Sequence, residues 1–190
     1  MLRQRSYMTL VLSLVLLMLT IQVQAQANVV VGTGSAASCT EAALNDAFNT
    51  LKNAGSGTLT FNCGGAATIA LNSQKRLDRP GPYTIDGGGN ITLDGQNKTR
   101  ILYFGDRVTF TIKNITLVNG KAQGDASNSR SANQGAGIYS GLGNTITVDN
   151  VTFRNNHATG TALIWQGGGA LRVDDSTVAT VNNSRFYNNK

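Results

Sequence analysis

Proline is nearly missing from this chain, with two residues in 190, while glycine occurs 22 times. Glycine therefore does the bending, and the composition is that of a turn-rich β protein rather than a proline-stiffened linker. Charge is also scarce, at 14% of residues, which excludes the strongly charged disordered class. The lysines and arginines behind the formal net charge of +6 are scattered, so nucleic acid is not an expected partner. Two cysteines, Cys39 and Cys63, and a single histidine, His157, fall short of any usual metal ligand set, so neither a metal nor a cofactor is expected.

Long apolar runs are lacking too. The uncharged stretch from Met8 to Ile21 is 14 residues, short of the roughly 20 that span a bilayer. Arg3 and Arg5 precede it and Ala25-Gln26-Ala27 follows it, the layout of a secretory signal peptide with a small-residue cleavage site. The sequence thus divides into an export segment, residues 1–27, a leading strand and helix, residues 28–57, and a repetitive β region, residues 58–190. Removing Arg3 and Arg5 lowers the formal charge from +6 to +4. The mature chain is expected outside the cell or on its surface, with no transmembrane segment, and its mild basicity suits anionic polysaccharide or cell envelope.

What the sequence does have is repetition. TFTIKNITLVNG, from Thr109, returns as TITVDNVTFRNN from Thr145 and as VATVNNSRFYNN from Val178. The steps are 145 − 109 = 36 and 178 − 145 = 33 residues, the spacing of a stacked array. Within each copy apolar and polar residues alternate, as in Phe110, Ile112, then Ile115 and Leu117, so each copy reads as two short strands joined at an asparagine. The 33-residue frame extends upstream and predicts a further strand in each unit, around 101–104, 137–140 and 170–173.

One helix is expected, within SAASCTEAALNDAFNTLKNAGSG. Leu44, Ala47, Phe48 and Leu51 fall on one face, Gly55 sits at a left-handed C-cap position, and Ser38 with Glu41 has capping-box spacing. A stacked array needs its open apolar end covered, and this helix is placed to be that cap. Cys39 and Cys63 bracket it, and export to an oxidising compartment favours a disulfide between them.

Three strands per unit, units of 24 to 36 residues and no alternating helices predict an all-β fold, a parallel β-helix. An antiparallel sandwich fits the fixed repeat offset poorly. Asn114, Asn150 and Asn183 share one turn position, where their amides are expected to stack as a ladder. That turn also accounts for the N-x-[ST] triplets beginning at Asn90, Asn114, Asn150 and Asn182.

Taken together, SCTEAALNDAF, GTLTFNCGG, TIDGGGNITLDG, NITLVNG, NVTFRNN and QGGGALRV resemble bacterial exported right-handed single-stranded parallel β-helix proteins of the pectin-lyase-like superfamily. The likeness is to their repetitive surface members, including polymorphic outer-membrane-protein-like repeats. It implies the fold and export, and an adhesive or structural role. The superfamily's lyases and polygalacturonase-like hydrolases use acidic clusters, an outer arginine, paired aspartates, His-Gly and Arg-x-Lys. Here Asp174-Asp175 is the only adjacent acidic pair, Ala158 follows His157, and no Arg-x-Lys occurs, so no catalytic residue is carried over.

The repeat frame lines up Tyr103, Tyr139 and Arg172 on an outward face, where two aromatic rings and a guanidinium suit sugar rings and an acidic substituent. Cross-strand pairing between these same side chains is the alternative. The segments 120–134 and 157–166 are expected to leave the array as loops on that side, the second carrying Trp165, the only tryptophan. The leading expectation is an exported cell-surface scaffold with an adhesive role that touches polysaccharide or other cell-envelope components. The alternative is a polysaccharide lyase or hydrolase whose catalytic residues lie in further coils. The last repeat stops part-way through a coil at Lys190, so additional C-terminal coils or an anchor are expected.

Overall fold

The computed structural model describes residues 26–124, 133–160 and 167–190. The chain is all-β, with strands that pair in parallel and a single α-helix among the described residues. The expected export segment, residues 1–27, falls almost wholly outside those residues. The first strand, β1 (Ala27–Val31), reaches back to Ala27, one residue ahead of the expected mature start.

The largest sheet takes its order from the repeats. It runs β1, β2 (Gly57–Phe61), β5 (Pro82–Asp94), β7 (Thr109–Val118), β10 (Thr145–Arg154), β13 (Val178–Asn182). Beside it, β3 (Ala67–Ala70) pairs with β5 and β14 (Arg185–Tyr187) with β10. Thr109 lies opposite Thr145 and Thr145 opposite Val178, the 36- and 33-residue offsets of the sequence repeat. The three expected extra strands, joined by an unexpected fourth, β4 (Lys75–Leu77), form a second sheet in the order β4, β6 (Leu102–Phe104), β9 (Ile138–Ser140), β12 (Leu171–Val173).

Two segments expected as loops start instead as paired strands. β8 (Lys121–Gly124) and β11 (His157–Gly160) form a third parallel sheet, with His157 opposite Lys121. The backbone dictates this: the Lys121 amide donates to the Thr99 carbonyl at 2.9 Å and the His157 amide to that of Gly120 at 2.8 Å. Residues 125–132 and 161–166, Trp165 included, lie outside the described residues, and Gln134, at the end of the first segment, bridges Gly167 in parallel.

Side-chain alternation builds the core. Leu59, Ile85, Ile112 and Val148 occupy one register row and are all buried, as are Ile69, Leu93, Leu117 and Phe153 in another. Each such side chain contributes roughly 1.5–3 kcal/mol on full burial, so these rows hold the sheets together. Between Asp86 and Ile91 the register of β5 against β7 shifts. Gly88 there takes a φ of +61°, which a side chain would strain, and its amide donates to Asp86 Oδ1 at 3.0 Å.

The helix α1 (Glu41–Ala54) lies against β1, β2 and β4, with Leu44, Ala47, Phe48 and Leu51 buried in the common core. Gly55 ends it at a φ of +75°, its amide donating to the Leu51 carbonyl at 2.9 Å. The expected capping box does not form. Thr40 is the N-cap, accepting from the Ala43 amide at 3.2 Å, while Ser38 belongs to a preceding 3-10 turn. Glu41 reaches across to the β4 side rather than back to its own helix, because a buried ammonium, Lys75, awaits it there. Cys39 and Cys63 form a disulfide with a Cα–Cα distance of 5.7 Å, joining the helix start to the end of β2.

At the opposite end the rows meet solvent. Val178, Val181, Phe186 and Tyr187 are the large apolar residues of β13 and β14, and each is exposed by 43% or more. The Phe186 ring stacks on Phe153 at 4.8 Å with its other side uncovered.

Candidate functional site

In the four-stranded sheet, alternation turns residues 75, 102, 138 and 171 to one side and their neighbours to the other. Registers then align Arg76 with Tyr103, Tyr103 with Tyr139, and Tyr139 with Arg172. The three residues singled out by the repeat frame do come together. Arg76, one unit earlier, completes the row and is the member sequence reasoning missed, because β4 precedes the recognisable repeats.

The geometry of the row is internal. The Arg76 guanidinium lies 4.1 Å from the centroid of Tyr103, and the Tyr103 and Tyr139 rings stack at 5.1 Å with a 20° interplanar angle. Arg100 sits 5.7 Å and 5.3 Å from the same two rings. Tyr139 is only 4% exposed, and Tyr103 has Arg76 over one face and Tyr139 over the other. Neither ring face is thus open to a sugar: the aromatic faces expected to meet sugar rings are covered, and the rings adopt the cross-strand pairing that the sequence offered beside that reading. The cause is the roughly 4.8 Å spacing of parallel strands, at which like rings in register stack on one another.

The ends of the row are held by acids. Tyr139 donates its hydroxyl to Asp174 Oδ2 at 2.6 Å, and Arg172 Nη2 donates to Asp174 Oδ1 at 3.1 Å. Burial, then the Asp174 carboxylate, push the Tyr139 hydroxyl well above its ordinary pKa. Both carboxylate oxygens of Asp174 are therefore engaged, and Asp175 is exposed, so the adjacent pair is not a facing dyad. Arg76 Nε donates to Asp78 Oδ2 at 3.0 Å, and Lys52 of α1 lies 3.0 Å from Asp78 Oδ1. Burial would raise the Asp78 pKa, but these two cations lower it.

Beside the row lies an open depression of about 380 Å³ lined by Arg76, Asp78, Pro80, Tyr103, Asp106 and Arg107. Two guanidiniums and two carboxylates around one aromatic edge can exchange hydrogen bonds with a polyhydroxylated ligand. Among the described residues no group of three His, Cys, Asp or Glu is placed to hold a metal ion, and no helix is long and apolar enough to cross a membrane.

No family model, no curated protein and no solved structure matches this chain.

The asparagine row forms in part. Asn114, Asn150 and Asn183 all take left-handed φ values, 53°, 52° and 51°. Asn150 Nδ2 donates to Asn114 Oδ1 at 3.0 Å, but Asn183 donates to Asp149 Oδ1 at 2.9 Å, so the expected ladder stops at Asn150. A carboxylate is the stronger acceptor and wins the amide. Other asparagines do the buried work. Asn144 Oδ1 accepts from the Val108 amide at 2.6 Å while its Nδ2 donates to the Gly105 carbonyl and to Ser140 Oγ. Asn156 Oδ1 accepts from the Gly120 amide at 2.8 Å, and its Nδ2 donates to the Leu117 carbonyl and Asn189 Oδ1. Their signal was present as asparagine at the ends of repeat strands, but it could not be told from turn asparagine without the bends.

Proposed function

We propose that this chain is an exported, cell-surface-associated right-handed parallel β-helix of the pectin-lyase-like kind, a scaffold with an adhesive or structural role that holds polysaccharide. The solenoid reading is supported by the parallel offsets of 33 and 36 residues in the largest sheet and by the same frame recurring in the four-stranded sheet. In this reading α1 is the cap over the first coil and the Cys39–Cys63 disulfide pins it, a bond suited to an oxidising exterior.

The observation that carries the binding role is the depression bounded by Arg76, Tyr103 and Arg107 on one side of the stacked row. Its walls are charged, its aromatic presents an edge, and the stacked row behind it fixes Arg76 in place. Sugar hydroxyls would meet Asp78 and Asp106, and an acidic substituent would meet the guanidiniums. Arg172 and Tyr139 act behind this surface as supports rather than as contacts. A scaffold role is favoured over catalysis because, of the one adjacent acidic pair, Asp174 is spent on Tyr139 and Arg172 and Asp175 is exposed beside it.

A glycan array probed with the purified protein, and with an Arg76→Gln/Arg107→Asn variant beside it, tests the reading. Binding of acidic or hydroxyl-rich glycans that drops at least about tenfold in the variant supports it, since charge-assisted contacts are the stronger class. Equal signal from both proteins, or none from the parent, removes the polysaccharide role.

A further inference from the structure

A second depression, of about 250 Å³, lies at the corner that leads into the four-stranded sheet. Gln74, Lys98, Thr99, Arg100, Lys121 and Gln123 line it. The depression beside Arg76 alternates cations with carboxylates; here three cations converge, and among the described residues no acid lines the depression. Among the described residues neither Lys98 nor Lys121 forms an ion pair. Like charges gathered this way repel one another, and an anion between them relieves that repulsion.

Arg100 is built in. It is 7% exposed, and its Nε, Nη1 and Nη2 donate to the Gly135 carbonyl at 3.0 Å, Gln74 Oε1 at 2.9 Å and the Gln134 carbonyl at 2.8 Å. Desolvation lowers its pKa to about 10, so it remains charged at neutral pH. With its fork engaged on these acceptors, Arg100 supplies a fixed positive field. It does not offer the flat two-point clasp that suits a carboxylate. The freely rotating ammoniums of Lys98 and Lys121 are left to make the contacts, and such point charges suit an anion with oxygens in several directions.

We propose that the depression between Lys98, Arg100 and Lys121 binds a tetrahedral oxyanion, the phosphate or sulfate ester group of a ligand. The site stands on its own residues. It rests on the polysaccharide reading only in that an esterified sugar polymer is the expected carrier of the group.

Amide chemical shifts of the purified protein, followed by NMR during titration with inorganic phosphate, inorganic sulfate and acetate at matched ionic strength, test the site. Saturable shifts confined to residues 98–100 and 121–123 are expected with phosphate or sulfate, and the tighter of the two identifies the ester. Acetate should bind at least about tenfold more weakly, and Lys98→Gln/Lys121→Gln should weaken the oxyanion by about tenfold or more. Both lysines lie outside the core, so the variant's unchanged spectrum elsewhere verifies its fold. Acetate binding as well as phosphate and sulfate, shifts that never saturate, or an unaffected double variant would overturn the proposal. Phosphorylated dextran, dextran sulfate and plain dextran then address the carrier. Preference for an esterified polymer supports both readings. Small-ion binding with no polymer binding upholds the site and removes the polysaccharide role.

Discussion

Lys75 Nζ lies 2.6 Å from Glu41 Oε1, an ion pair between β4 and the first turn of α1 that the core almost encloses. Lys75 is 2% exposed and occupies the register row of Leu102, Ile138 and Leu171, so a lysine stands where later units place aliphatics. Glu41 also accepts from the Asn72 and Ser73 amides at 2.8 Å and 3.2 Å. Lys75 Nζ also donates to the Ser73 carbonyl at 2.8 Å, so removing Glu41 leaves the buried ammonium hydrogen-bonded but without its counter-charge, and Glu41→Ala should cost about 3–5 kcal/mol. Lys75→Met extends the aliphatic row and leaves Glu41 its amide partners, so its cost should be clearly smaller. Urea unfolding of both variants checks the asymmetry; equal costs would mean that the pair does not join helix to sheet in this way.

The same carboxylate makes stability pH-dependent. Burial would raise the Glu41 pKa, but hydrogen bonds from Lys75, Asn72 and Ser73 outweigh it and bring the value down from an ordinary 4.5 to about 2. A folded-state pKa below the unfolded one contributes stability that is complete above the unfolded value and is lost as pH falls through the folded one. Unfolding free energy should hence decline between pH 4.5 and about 2. The part due to this group should vanish in Glu41→Gln, whose stability profile over that window would be flatter than the parent's. Parallel profiles would assign the acid sensitivity to other carboxylates.

The disulfide anchors the same end of the helix, two residues before Glu41. Cys39 and Cys63 are 24 residues apart, and a closed loop of that length contributes about 3–4 kcal/mol in the chain-entropy model. Gly32 packs so close that a β-carbon there would run into Cys39 Sγ and the Asn62 carbonyl. Reduction, or Cys39→Ser/Cys63→Ser, should lower the thermal midpoint and raise hydrogen exchange first in α1 and β1. A uniform rise over the whole chain would instead make the helix part of one cooperative unit.

How much of this was readable beforehand follows from where the periodicity was strong. From Thr109 onward, alternation and a fixed offset place every inward row, and the structure pairs Leu102 with Ile138 and Phe153 with Phe186 as that frame requires. The row Tyr103, Tyr139, Arg172 was likewise legible, being a matter of register. Cross-strand pairing along it was legible as one of two readings, but the parts played by Arg76 and Arg100 were not, because both lie outside the repeated motifs. Glu41 was misassigned for a related reason. A serine three residues before a glutamate is a local pattern, and a lysine 34 residues downstream overrode it.

Asparagine offers the sharpest contrast between a conspicuous residue and a consequential one. Asn150 is exposed and its amide makes one link, to Asn114; its demand is the left-handed backbone, with a φ of 52°. Glycine satisfies that conformation, so Asn150→Gly should cost about 1 kcal/mol or less. Asn156 is fully buried and its amide satisfies the Gly120 amide and the Leu117 carbonyl at a bend. Asn156→Ala removes the side-chain acceptor of the buried Gly120 amide, at about 1–3 kcal/mol, and one donor to the Leu117 carbonyl, so it should be the more destabilising change. Denaturant midpoints for the two variants decide the matter. If Asn150→Gly proves the costlier, side-chain linkage along the turn row contributes more than the hydrogen bonds at the buried bends.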